Sequence, residues 1–199
     1  MLRFGPLSPN TVHIAIDLQR LFAEDTVWST PTLMGVVPNV AALVKAKPGR
    51  TLFPRFVTPE KAEDAPGTWR RYYTHWRAVT RPNLAPGMLD LVAELAALAP
   101  EGSVIDKPTH SAFAAPEFVD RLAALGADTL IVTGVETDVC VLGTILDGID
   151  RGFRIVAVSD AMTSSSLPGH HATLDLILPR FDQQVEIVTT EAALRAWSR

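Results

Sequence analysis

Short apolar runs alternate along this chain with longer stretches of helical spacing. Val12-His13-Ile14-Ala15-Ile16 reads as a buried strand ending at Asp17. Thr51-Leu52-Phe53 continues past Pro54 through Arg55-Phe56-Val57, and Ser103-Val104-Ile105 ends at Asp106-Lys107. Thr129-Leu130-Ile131-Val132-Thr133 closes at Gly134, and Arg154-Ile155-Val156-Ala157-Val158 and Val185-Glu186-Ile187-Val188 follow. Their β-branched content and turn-residue boundaries favour strand over buried helix. Helical spacing appears between them. Leu89, Val92, Leu95 and Leu98 mark one face after Pro86-Gly87; Phe118, Leu122 and Leu125 mark another before Gly126. Val139, Leu142, Ile145, Leu146 and Ile149 form a third, ended by Gly152, and Thr190 is expected to cap a last helix through Ala192, Leu194 and Trp197, with Glu191 in its first turn. Strand–helix alternation of this kind predicts an α/β architecture, a parallel sheet covered on both faces and built from right-handed crossovers.

One segment breaks the pattern. From Pro59 to Pro86 the chain is charged and aromatic, with Trp69, Arg70, Arg71, Tyr72, Tyr73, His75, Trp76 and Arg77, and it reads as a partly helical excursion over the sheet's edge or mouth. No repeat, low-complexity tract or linker interrupts the rest, so residues 1–199 are expected to form one domain. With 18 Lys plus Arg against 22 Asp plus Glu, the net charge is −4. A mildly acidic chain without a basic run is a poor partner for nucleic acid, whose phosphates need concentrated positive charge. No window approaches the ~20 apolar residues of a membrane span. The opening MLRFGPLSPN lacks the apolar core of a signal peptide. A single cysteine allows no internal disulfide and points to a reducing, cytoplasmic setting.

That cysteine draws attention to the strand ends. In open parallel sheets, ligands bind outside the carboxyl ends of the strands. Asp17 closes the first strand, Lys107 closes the third, and Cys140 lies just beyond the fourth, where a helix should begin. A cysteine at a helix start meets the positive end of the macrodipole, which is expected to lower its pKa. A carboxylate can take the thiol proton, a lysine can orient that carboxylate, and backbone N–H groups at the turn can form an oxyanion hole. Each residue also has a plainer reading: Cys140 as a small buried hydrophobe, Asp17 as a strand-end or cap residue, Lys107 as a solvated surface group.

Longer motifs extend the picture. Ile16-Asp17-Leu18-Gln19 resembles the first-strand Asp motif of the isochorismatase-like cysteine hydrolases, and Asp106-Lys107 with His110-Ser111-Ala112-Phe113 resembles their D-K-x-x-x-S-x-F segment. Thr133-Gly134-Val135-Glu136-Thr137-Asp138-Val139-Cys140-Val141 is similar to their signature T-G-V-x-T-D-V-C-V. Val158-Ser159-Asp160-Ala161, Ser164-Ser165-Ser166 and then His170 or His171 match the family's downstream pattern, so the resemblance covers nearly the whole chain in order. It implies a three-layer α/β/α fold with six parallel strands in the order 3-2-1-4-5-6. It also implies a triad: Cys140 as nucleophile, Asp17 as general base and acid, Lys107 as the charge-stabilising partner. A cis peptide between Val135 and Glu136 would aim backbone N–H groups, including that of Cys140, at the substrate oxygen. The resemblance further implies a homo-oligomer, a dimer or tetramer, with Trp69 to Arg77 as a plausible contact surface.

Departures narrow the activity. Nicotinamidases carry an Asp-x-His and further histidines for a metal soon after the second strand, whereas here Phe53 to Pro59 has no histidine and the next is His75. No metal or cofactor is therefore expected. Isochorismatases proper often lack the cysteine, so Cys140 points to C–N hydrolysis. Glu136 stands where relatives often have a small residue, and it either charges the pocket or points away. Candidate pocket residues are Gln19, two positions after Asp17 on an extended backbone, Arg55 near the end of the second strand, and the aromatic residues Trp28, Trp69, Tyr72 and Trp76. The expected function is hydrolysis of a small amide, ureide or carbamoyl compound. The alternatives are an enol-ether hydrolase using Asp17 without the cysteine, a thiol redox or sensing protein, and a scaffold that only binds a partner.

Overall fold

The computed structural model describes residues 2–197. The six strands expected from the apolar runs form a single sheet: β1 (Val12–Ile16), β2 (Thr51–Phe56), β3 (Val104–Lys107), β4 (Thr129–Gly134), β5 (Arg154–Met162) and β6 (Val185–Val188). Their order is β3-β2-β1-β4-β5-β6, and every pairing is parallel. β1 and β4 are buried at every position, as central strands covered on both faces must be. The helices are α1 (Arg20–Ala23), α2 (Leu33–Ala46), α3 (Thr68–His75), α4 (Ala93–Ala96), α5 (Pro116–Ala124), α6 (Leu142–Asp150), α7 (Leu167–Ala172) and α8 (Thr190–Trp197). α2 and α8 pack against each other and against β5. No helix among the described residues is long and apolar enough to cross a membrane.

The core of β1 contains one imidazole. His13 is fully buried, with Nε2 2.8 Å from Thr133 Oγ1 and Nδ1 3.3 Å from Thr51 Oγ1, so hydroxyls on both neighbouring strands satisfy its ring. Burial pushes its pKa down to about 3, which keeps the ring neutral. The site lies four residues further on, just past the end of the same strand. There the chain turns at Asp17 with φ +54°, a left-handed conformation uncommon outside glycine but better tolerated by Asp. β4 ends beside it at Gly134 (φ +114°), where a Cβ would stand 2.0 Å from the Ile16 carbonyl oxygen, so only glycine lets the two strand ends approach this closely.

Three expectations need correction. The helix expected over Leu89–Leu98 is the single turn α4, because the backbone before it is taken up in pairing with the chain after β1. Arg20 N donates to Asp90 O (3.0 Å), Leu21 N to Met88 O (2.8 Å) and Val92 N to Leu18 O (3.0 Å). At α8 the capping residue is Thr189, whose Oγ1 accepts from Ala192 N at 3.4 Å. Thr190 N and Oγ1 instead donate to Asp160 Oδ1, at 2.7 and 2.8 Å. β5 continues past Val158 to Met162 and brings Asp160 to that contact. The irregular segment from Pro59 to Pro86 contains α3 and short 3-10 turns. Its aromatic residues Trp69, Tyr72 and Trp76 pack against the core, while Arg70, Arg71 and Arg77 stay exposed.

Candidate active site

The carboxyl ends of β1 and β3 bring Asp17 and Lys107 together. Both are fully buried, and Lys107 Nζ lies 2.9 Å from Asp17 Oδ2. Lys107 Nζ also donates to Thr109 O at 3.1 Å and sits 4.5 Å over the centroid of the Phe56 ring. The third residue comes from the connection after β4. The Val135–Glu136 peptide is cis, and Thr137–Val141 form a wide π-type turn that continues into α6. Cys140 occupies that turn and is 6% exposed. Thr144 Oγ1 donates to Cys140 O at 2.8 Å and accepts from Ala112 N at 3.1 Å, which ties the turn to the loop after β3. On the other side Asp138 Oδ1 accepts from Ser164 Oγ (2.6 Å), and Thr137 Oγ1 lies 2.8 Å from His170 Nδ1. His170 therefore serves the scaffold of the turn.

Burial shifts both acidic groups of the site in the same direction. Burial pushes Asp17 above the usual carboxylate range, and Lys107 only partly reverses this. Burial also pushes the Cys140 thiol well above its ordinary value. The Asp17 carboxylate adds to that rise and Lys107 opposes it. The lowered thiol pKa expected from a helix start is therefore not found, because desolvation and a neighbouring negative charge outweigh the helix end. Both shifts favour the protonated forms of Asp17 and Cys140.

A cavity of about 230 Å³ opens onto the thiol. Trp28, Phe56, Tyr72, Trp76, His110, Glu136 and Ser165 line it, together with Cys140 and Val139. Trp28 stacks on Phe22 (centroids 6.1 Å apart) and meets Phe56, Tyr72 and Trp76 at 5.8, 5.9 and 6.4 Å. Trp28, Tyr72 and Trp76 are thus pocket residues. Trp69 lies behind them, 4.8 Å from the His110 ring, and faces an outer cleft with Arg71 and His75. Glu136 lines the chamber, where its Oε1 accepts from Ser165 N at 2.9 Å and from Thr30 Oγ1 at 3.3 Å.

Two predicted pocket residues are structural instead. Gln19 is fully buried and its amide is consumed by backbone: Oε1 accepts from Phe56 N at 2.7 Å, and Nε2 donates to Phe56 O and Leu89 O, each at 3.0 Å. Arg55 turns away to Asp106 (Nε to Oδ1, 2.5 Å) and Asp90 (3.4 Å). The sequence reading missed His110 as a site residue. Its Nδ1 stands 3.7 Å from Cys140 Sγ, and burial and the Lys107 charge lower its pKa. Its place three residues past a strand-end lysine was the available signal.

Among known proteins the chain is 29% identical to a ureidoacrylate amidohydrolase, RutB, of Methylorubrum extorquens, over 92% of this chain and 82% of that protein. It is 29% identical to a maleamate amidohydrolase of Pseudomonas putida over 56% of this chain and 54% of that one. In fold it is similar to a cysteine hydrolase from Pseudomonas syringae pv. phaseolicola, with TM-score 0.76 and 23% identity, covering 96% of this chain and 94% of that one. The Isochorismatase domain matches residues 11–192, and with the sheet order and strand-end site already described this places the chain in the isochorismatase family.

Proposed function

We propose that this protein is a metal-independent cysteine amidohydrolase that cleaves a C–N bond of a small amide, ureide or carbamoyl compound through a thioester. The observation that carries the reading is the buried Asp17–Lys107 ion pair together with the nearly buried Cys140 that lines the cavity. Asp17 takes the thiol proton as sulfur attacks the carbonyl carbon, and Lys107 steadies the charge on the carboxylate. Backbone N–H groups of the turn at Glu136 and Cys140 stabilise the oxyanion; that of Val135, expected to join them, is instead donated to Ile16 O at 3.0 Å, which ties the turn to the end of β1. Asp17 then gives its proton to the leaving nitrogen, ammonia or an amine departs, and the acyl group remains on sulfur. In the second half Asp17 accepts a proton from water as its oxygen attacks the thioester, the carbon–sulfur bond breaks to release the acid, and Asp17 returns the proton to sulfur. The similarity to ureidoacrylate and maleamate amidohydrolases supports C–N hydrolysis. The cavity lies below the roughly 300–1,000 Å³ of drug-sized sites, which suits a small substrate.

A raised thiol pKa disfavours a redox-sensing role, which depends on thiolate. The contact between His110 Nδ1 and Cys140 Sγ supports a second reading in which the imidazole, rather than Asp17, receives the thiol proton. Ammonia release from a panel of small amides, ureides and carbamoyl amino acids tests the function, with hydroxylamine added to capture the acyl group. Hydroxamate formed at the expense of acid is the expected result. Turnover of isochorismate with no release of ammonia from any member would overturn the reading. Activity retained in Asp17→Asn but lost in His110→Gln would transfer the base to His110. We further propose, from the single cysteine and the family resemblance, that it works in a reducing cytoplasm and as a homo-oligomer, the second of which light scattering after gel filtration checks.

A further inference from the structure

The charge of the chamber is specific and has a consequence for the substrate. Of the side chains lining it, Glu136 alone is a carboxylate, and none is Lys or Arg. The nearby cations are spoken for: Lys107 is fully buried on Asp17, and Arg55 is held by Asp106 and Asp90. Arg71 belongs to the outer cleft beyond Tyr72 and Trp76. His110 does not replace them, since burial and Lys107 favour its neutral form. Glu136 is fixed by its Oε1, which accepts from Ser165 N and Thr30 Oγ1, while Oε2 has no hydrogen-bond partner among the described residues. Burial above all, then Cys140 and last Glu136, push the Tyr72 phenol up to about 12. The same chamber is lined by the rings of Trp28, Tyr72 and Trp76, with Trp28 packed on the other two in tilted and edge-on contacts. Aromatic faces with a carboxylate in a partly desolvated chamber are the chemistry that recognises an organic cation.

We infer that the chamber selects a substrate whose non-scissile end is cationic, an ammonium or guanidinium held between Glu136 and the Trp28–Tyr72–Trp76 wall while its amide carbon reaches Cys140. This rests on the amidohydrolase reading for the reaction, and it goes further in separating this chain from enzymes of carboxylate-bearing amides. An anionic end would meet Glu136 with no partner cation in the chamber. A cationic end gains both the charge pair and the ring faces. Glu136 thus acts as a specificity-determining residue as well as part of the turn.

The test uses three amides of matched length: 4-aminobutanamide (cationic), pentanamide (neutral) and glutaramate (anionic). Ammonia release gives kcat/KM for the wild type and for Glu136→Gln, which keeps the acceptor for Ser165 N. Calorimetry on Cys140→Ala gives binding without turnover. The expected result is kcat/KM at least tenfold higher for 4-aminobutanamide than for pentanamide, with glutaramate lowest. In Glu136→Gln the cationic-to-neutral ratio should fall about tenfold. Equal rates for the three, or a ratio unmoved in Glu136→Gln, would overturn the charge assignment and leave the amidohydrolase reading standing. Preference for glutaramate that disappears in Arg71→Gln would also overturn it and move recognition to the outer cleft. Turnover of none of the three, with tighter binding of the cation by Cys140→Ala, would keep the charge assignment and count against the amidohydrolase reading. Absence of preferential cation binding in that variant would overturn the assignment as well.

Discussion

Two buried polar groups lie four residues apart on β1 and its end, and they resolve burial in opposite ways. His13 loses its charge: two threonine hydroxyls on β2 and β4 hold it as a neutral ring inside the sheet. Asp17 stands against a buried lysine, at the point where the strand runs out and the chain turns with positive φ. The first arrangement is complete and has nothing left to offer a ligand. The second is a charged pair whose desolvation is only partly offset, beside a thiol and a cavity. Chemistry sits where the sheet stops, because there the ladder of backbone and side-chain partners ends and polar groups must find one another across strand ends.

The largest effect expected from breaking this contrast is on Asp17. Asp17→Asn should lower kcat by about 10³-fold or more, a loss of general-base and acid function, read by ammonia release. It also leaves Lys107 buried without its counter-charge, which costs about 3–5 kcal/mol and would appear in urea denaturation. Adding Lys107→Met should recover most of that stability and none of the activity. Recovery of activity in the double variant would mean the pair is structural only.

Next is a pH effect on the inert partner. The unfolded chain protonates His13 near 6.5, whereas the folded ring resists protonation down to about 3. Between those values the unfolded chain binds the extra proton, so this group removes stability as pH falls, by up to about 1.4 kcal/mol per unit. Asp17 acts in the other sense. Its raised folded pKa means the folded chain holds the proton more tightly, so its contribution falls as pH rises through the carboxylate range. Stability against pH for wild type minus His13→Gln should slope upward by about one proton's worth from pH 3 to 6.5. A flat difference would show that His13 is not buried as a neutral ring.

Smaller effects separate scaffold from site. Gln19→Ala strands the Phe56 N–H and C=O and should cost about 1–3 kcal/mol in stability. Arg55→Met breaks a partly exposed ion pair and should cost about 0–1 kcal/mol, with kcat/KM within about twofold of wild type. A selective rise in KM for Arg55→Met would return that residue to the pocket.

The strands were legible because β-branched runs closed by turn residues have few other uses, and from them the strand-end positions of Asp17, Lys107 and Cys140 followed. What could not be read depended on partners distant in sequence. α2 carries Gly35 and Pro38 inside it, so local signals hide a helix that survives on its buried stripe of Leu33, Val36, Val37, Val40 and Leu43. Leu89 to Leu98 has helical spacing, but backbone donors and acceptors near Leu18 to Leu21 claim its first half. Gln19 and Arg55 point to Phe56, Asp106 and Asp90, contacts that only the folded chain reveals. The sign of the Cys140 pKa shift likewise depends on burial and on Asp17, neither of which a helix start announces.

The central claim is that Cys140 sulfur attacks the carbonyl carbon. Its most direct test is ammonia release by Cys140→Ala beside wild type on whichever amide the wild type turns over, with circular dichroism confirming that the fold is kept. The account predicts a loss of about 10⁴-fold or more in kcat. An undiminished rate in Cys140→Ala would contradict it.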